Sequence, residues 1–127
     1  MIMMPFNDRY SAIYQAIFYS CQAAHYSCAR SDDEFNPGNL LRQIVNMMLE
    51  SSVIIALLDG QNPNVFYEIG IAHSIGKTVL LLADKKNTND IPFDLRSDRL
   101  LLYSNTSDLH NKLYETLKNL YYVDKGE

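Results

Sequence analysis

An open α/β sheet, doubly wound and parallel, is the fold predicted for this chain, and three observations predict it. Two apolar runs, VIIALL at 53–58 and TVLLLA at 78–83, carry apolar residues at successive positions. That is the pattern of strands buried on both faces. Between and around them, segments of helical period alternate with segments of strand character, which is the order of repeated strand–helix–strand units. Finally, polar residues rich in turn formers follow the strands, in PFNDR (5–9), RSDDEFNPG (30–38) and DGQNPN (59–64).

Taken in order, IMMPF at 2–6 reads as a short first strand. Residues 8–24 read as an amphipathic helix with Tyr10, Ile13, Ile17 and Cys21 on one face. HYSCAR at 25–30 reads as a second strand. Residues 39–50 repeat apolar side chains at Leu40, Leu41, Ile44, Val45, Met48 and Leu49, a helical spacing, before the strand at 51–59. The helix NPNVFYEIGIAHSIGK follows, with Asn62 suited to the N-cap and Pro63 to the first helical position. KTVLLLAD at 77–84 is a further buried strand, LLLY at 100–103 the last, and 107–122 a closing helix. About five strands in a flavodoxin-like, Rossmann-like order result, with helices on both faces.

Composition narrows the function. The 127 residues are 47% hydrophobic and contain no low-complexity tract or repeat, so residues 1–127 are expected to form a single domain without linker. Eleven Lys and Arg lie scattered in a chain of net charge −4, which offers no basic stripe for a nucleic-acid polymer. The apolar runs are far shorter than the roughly 20 residues of a membrane span, and no signal peptide opens the sequence, so a cytoplasmic protein is expected. Cys21 and Cys28 form no disulfide framework and lack metal-ligand spacing. They are expected to be buried free thiols. Nothing in the pattern calls for a metal or another cofactor.

The candidate site follows from the fold. Ligands of doubly wound sheets bind outside the carboxyl ends of the strands, where strand order reverses. On the helix after the third strand, Val65, Ile69, Ala72, Ile75 and Gly76 form one apolar arc at about 100° per residue, and Glu68 falls inside it. Full burial of a carboxylate raises its pKa by about 3 to 5, some 4 to 7 kcal/mol. A helix N-terminus returns at most about 2 kcal/mol. A charged Glu68 must therefore open onto the crevice or accept hydrogen bonds from donors such as Asn64 or Tyr67. That is the setting of a carboxylate nucleophile. Asp59, at the end of the third strand, is read either as a partner that holds a sugar hydroxyl or moves a proton, or as a cap on the turn at Gly60. Arg30 and Asp32 are candidates for gripping a phosphate or sugar, or else belong to a solvated loop. Phe6 either stacks on a base or joins the core. His73 lies about 140° from Glu68 on the helix and is assigned, with His25 and His110, to structure.

The segments IMMPF, CARSDD, VIIALLDG, NPNVFYEIGIAHSIGK, IPFDL and LLLY together resemble the nucleoside 2-deoxyribosyltransferase-like superfamily, and within it the branch related to Toll/interleukin-1 receptor domains. The resemblance covers nearly the whole chain and is most specific from Asp59 to Lys77. It implies that Glu68 is the nucleophile toward the anomeric carbon of a nucleoside, with Asp59 beside it. The candidate substrate-binding residues are Pro5, Phe6, Arg30, Asp32, Gly60, Asn62, Asn64 and Tyr67. Where the family usually carries an aspartate and a Gly-Thr pair, this chain has Asn62 and Pro63-Asn64.

Three functions are compatible with these residues. The first is cleavage or transfer of the N-glycosidic bond of a nucleoside or nucleotide. The second is cleavage of NAD at the nicotinamide bond, as Toll/interleukin-1 receptor likeness implies, and the third is a non-catalytic nucleotide-binding or self-assembling module. The closing helix carries Leu109, Leu113, Tyr114, Leu117, Leu120, Tyr121, Tyr122 and Val123, more apolar surface than one stripe buries. A homodimer or larger assembly is expected, and the resemblance implies that Tyr121, Tyr122 and Asp124 reach a neighbour's site. The alternative is that these aromatics cover the first strand and its helix within one chain.

Overall fold

The computed structural model describes residues 1–5, 7–30, 40–90 and 99–124. Four parallel strands, β1 (Ile2–Met3), β2 (Ile54–Leu57), β3 (Val79–Asp84) and β4 (Leu100–Tyr103), pair in the order β1-β2-β3-β4. Ile2 lies opposite Ile55, Ile55 opposite Leu80, and Leu81 opposite Leu100. The helices are α1 (Ser11–Ala23), α2 (Leu40–Glu50), α3 (Pro63–Ser74) and α4 (Thr106–Asp124). Short 3-10 turns at Asp8–Tyr10 and Lys85–Asp90 follow β1 and β3.

Alternation along the strands builds two cores, one on each face of the sheet. Ile2, Ile55, Leu57, Leu80, Leu82 and Tyr103 face Ile17 and Cys21 of α1 and Leu109, Leu113 and Leu117 of α4. Met3, Ile54, Ala56, Leu58, Leu81 and Ala83 face Ile44 and Met48 of α2 and Val65, Ile69 and Ala72 of α3. The side chains of β2 are 0 to 2% exposed, as strands covered on both faces must be.

Among the described residues the sheet has four strands, which corrects the expected five. The segment 25–30 pairs with β1 only at an isolated parallel bridge between Ile2 and Arg30, where Ala29 O accepts from Ile2 N–H at 2.8 Å. Two local causes shorten this ladder. Residues 24–26 are taken up by the end of α1, where His25 adopts φ +67° and Tyr26 N–H bonds back to Cys21 O at 2.8 Å. That is a Schellman closure with histidine at the left-handed position. On the other side, β1 stops at Met3 instead of Phe6, and Pro5 has no N–H to extend the pairing. With the bridging residue counted, the lateral sequence is Arg30, β1, β2, β3, β4. Its direction reverses at β1, as in the flavodoxin-like order.

The end of α3 has the same chemistry. Gly76 takes φ +76°, Gly76 N–H reaches His73 O, and Lys77 N–H reaches Ala72 O at 3.0 Å. Lys77 then places its ammonium on Leu49 O and Ser51 O, the last carbonyls around α2. A cation at a helix C-terminus is favourable there.

Candidate active site

The reversal point lies between the carboxyl ends of β1 and β2, and the residues that follow those strands meet across it. Pro5, just past β1, is buried. Tyr10, at the end of the 3-10 turn after β1, is 8% exposed and abuts Gly60 after β2. A Cβ on Gly60 would lie 2.5 Å from the Tyr10 hydroxyl, and the backbone there has φ +84°. Both the close approach and the left-handed conformation require glycine. Gln61 follows at φ +48°, so the chain turns sharply out of the sheet before α3 begins.

Asp59 is the buried acid of this turn, 6% exposed. Its Oδ1 accepts from Asp84 N–H at 2.9 Å and from the Asn87 side-chain amide at 3.3 Å. Its Oδ2 accepts from the Tyr103 hydroxyl. The carboxylate therefore ties the carboxyl ends of β2, β3 and β4 together. Burial first, then the bond to Asp59 and its negative charge, push the Tyr103 phenol well above its ordinary pKa, so Tyr103 remains a donor. Alternation of side chains puts Asp59 on the α1/α4 face of β2, with Leu57, whereas α3 packs on the other face.

Asn62 caps α3 as its sequence position predicts: its Oδ1 accepts from Asn64 N–H at 2.9 Å and from Val65 N–H at 3.3 Å. Glu68 stands in the second turn, half-buried, with Oε2 shielded from water. The apolar arc around it is narrower than expected. The helix ends at Ser74, so Ile75, 37% exposed, and Gly76 belong to the closing turn and leave the arc. Glu68 is instead flanked by buried Ala72, about 40° away, and half-buried Ile71, about 60° away on the other side.

The other candidates lie apart from this core of the site. Asn64 is exposed and Tyr67 is 62% exposed on the outer side of α3. Arg30 lies level with Ile2 and Ile55, four residues before Asp59 along the sheet or about 13 Å at roughly 3.3 Å per residue. Its guanidinium lies over the Tyr14 ring of α1, 4.9 Å from the centroid. Phe6 and Asp32 fall outside the described residues. His110 packs beside Ser20, whose hydroxyl lies 3.0 Å from its Nδ1. Among the described residues no cluster of three His, Cys, Asp or Glu could hold a metal, and no helix is long and apolar enough to cross a membrane.

Sequence reasoning missed Asp84, Asn87 and Tyr103, which hold the Asp59 carboxylate, and Tyr10, which abuts Gly60. Asp84 and Tyr103 end their strands, so the rule that directed attention to Asp59 applied to them too. Asn87 and Tyr10 carry no such signal, because only the tertiary approach of a turn to a strand end brings them in.

No family model matches the chain, and comparison with curated proteins gives no match. Solved structures do match. One is the CMP N-glycosidase BcmB of Clostridium botulinum, at TM-score 0.69 and 14% identity, covering 91% of this chain and 98% of that one. Another is a 2-deoxyribosyltransferase of Bacillus psychrosaccharolyticus, at TM-score 0.63 and 16% identity, covering 91% and 94%. A doubly wound parallel sheet, a strand-order reversal above β1 and β2, and these two likenesses together show that this chain shares its fold with the CMP N-glycosidase and the 2-deoxyribosyltransferase.

Proposed function

We propose that the chain is an enzyme that cleaves or transfers the N-glycosidic bond of a small nucleoside or nucleotide, with Glu68 as nucleophile. The observation that carries this reading is the placement of Glu68. It is a half-buried carboxylate in the second turn of the helix that leaves the reversal point, within a fold shared with a CMP N-glycosidase. In the proposed reaction a Glu68 oxygen forms a bond to C1′ as the bond from C1′ to the base breaks, through an oxocarbenium-like transition state. The base departs with the bonding pair and takes up a proton. Water or a second base then displaces Glu68. The logic is that of retaining glycosidases, in which one carboxylate is the covalent nucleophile.

Asp59 serves this reaction by holding the Gly60–Gln61 turn and the strand ends in register. Three donors already engage its oxygens, which suits it to positioning more than to carrying a proton. CMP, the substrate in the name of the structural neighbour, favours a nucleoside monophosphate over NAD. The Toll/interleukin-1 receptor-like NAD reaction would use the same Glu68 on a larger substrate. We further propose that the working unit is a homodimer or larger.

The deciding experiment incubates the purified protein with nucleosides, nucleoside monophosphates including CMP, and NAD, and reads free base by chromatography. Base released by the wild-type chain and not by Glu68→Gln supports the mechanism. Release of nicotinamide alone would move the assignment to NAD cleavage. Binding of these ligands without any base release would leave a non-catalytic module.

A further inference from the structure

A cavity of about 650 Å³ opens at the end of the sheet opposite Asp59. Met1 and Val53, which precede or begin β1 and β2, line it together with Cys21, Cys28, His25 and Tyr121. It belongs to neither Glu68 nor the turn at Gly60. Its chemistry lies in the two cysteines, which are the only ones in the chain and which the proposed reaction does not use.

Three features bring the thiols together. Cys21 lies in the last turn of α1 and is 2% exposed in the core beneath the sheet. The left-handed residue His25 and the bond from Tyr26 N–H to Cys21 O reverse the chain, so the following segment runs back past the end of α1. Cys28 then packs, half-buried, against the same core that holds Cys21. Both thiols line the one cavity.

We propose that Cys21 and Cys28 are a redox-active dithiol that closes to an intrachain disulfide when a hydroperoxide enters this cavity. Cys28 is the attacking thiol: it is the more accessible of the two. Interaction with the Cys21 thiol holds the Cys28 thiol below its ordinary pKa, opposed by burial. The same interaction first, and burial second, push the Cys21 thiol up. Cys21 therefore keeps its proton while Cys28 reacts.

The steps balance with hydrogen peroxide as oxidant. The Cys28 thiolate forms a bond to one peroxide oxygen and the O–O bond breaks, giving a sulfenic acid on Cys28 and a hydroxide that takes the thiol proton as water. Cys21 sulfur then attacks Cys28 sulfur and the S–O bond breaks. The departing hydroxide takes the Cys21 proton, so a second water leaves. The two cysteines lose two electrons and the peroxide gains them. The bond formed would tie α1 to the segment that reaches Ala29 and Arg30, the residues that pair with β1.

The test uses the full chain, reduced and then treated with hydrogen peroxide, and reads intact mass and peptide maps under non-reducing conditions. The expected result is a monomer lighter by about 2 Da, a linked Cys21–Cys28 peptide, and full reversal by dithiothreitol. Cys28→Ser should abolish the mass loss, and Cys21→Ala should leave Cys28 to accumulate as sulfenic acid, trapped by dimedone. Mapping of the wild-type chain stands even if a variant folds poorly. Oxygen added irreversibly to Cys28 with Cys21 still alkylatable, or a disulfide between two chains, would overturn the proposal.

Discussion

Replacing Glu68 by glutamine keeps the length and shape of the side chain but removes its ability to bond covalently to an anomeric carbon. Base release should fall by about 10³-fold or more while the far-ultraviolet circular dichroism and melting temperature stay close to wild type. Wild-type turnover by this variant would remove Glu68 from the mechanism. Asp59 calls for a two-part measurement, because it is built into the turn that leads from β2 to the helix carrying Glu68. Asp59→Asn should hold ligand binding within roughly tenfold and lower turnover by about 10². Tyr103→Phe deletes the donor to Oδ2 and should cost about 1.5 to 3 kcal/mol in urea unfolding, the range of a hydrogen bond to a charged group. If Asp59 acts by positioning, Tyr103→Phe lowers turnover as well. If Tyr103→Phe loses stability but keeps full turnover, holding the strand ends in register through Asp59 contributes nothing to the reaction.

Two elements meet at the reversal point, and a single glycine lets them. Gly60→Ala must accommodate a Cβ against the Tyr10 hydroxyl while holding a positive φ, so it should destabilise the chain by more than about 1 kcal/mol. Tyr10→Phe removes the nearest atom, and the double variant should recover part of that loss but not the part due to φ. Full recovery would show that backbone conformation costs nothing there. On α3, Asn62→Ala removes the acceptor for two backbone N–H groups and should cost about 1 kcal/mol by the same measurement. Because α3 carries Glu68, fraying of its first turn should also weaken turnover more than stability alone explains.

At the scale of the molecule, the aromatic surplus of α4 is used partly within the chain. Tyr114 stacks on His110 at 6.4 Å between centroids, and Tyr121 packs edge-on against Tyr26 and beside His25. The side chains of Tyr122 and Asp124 lie outside the described residues. Large apolar side chains are exposed on α1, α2 and α3: Tyr19, Leu40, Leu41, Leu49 and Tyr67 are 47 to 62% exposed. Exposed apolar surface of that kind is what the proposed homodimer or larger assembly would bury. Light scattering at micromolar concentration should give at least twice the monomer mass of 14.6 kDa. A monomer with full activity would exclude the oligomer.

The pattern of apolar and polar residues was enough to determine the layered α/β class, both central strands and the cap at Asn62. Those features depend on periodicity and on residue types at neighbouring positions, which the chain carries locally. The tertiary structure alone decided that 25–30 contributes a bridge instead of a strand, since a histidine turn precedes it and the partner strand ends before Pro5. It alone decided that Ile75 and Gly76 leave the arc of α3, because a helix wheel extends through a turn that the backbone does not. The ring of donors on Asp59 was equally hidden: Asp84, Asn87 and Tyr103 lie 25 to 44 positions away. A hydrogen bond across that separation is set by strand register and the path of a turn, and neither is written in any one stretch of sequence.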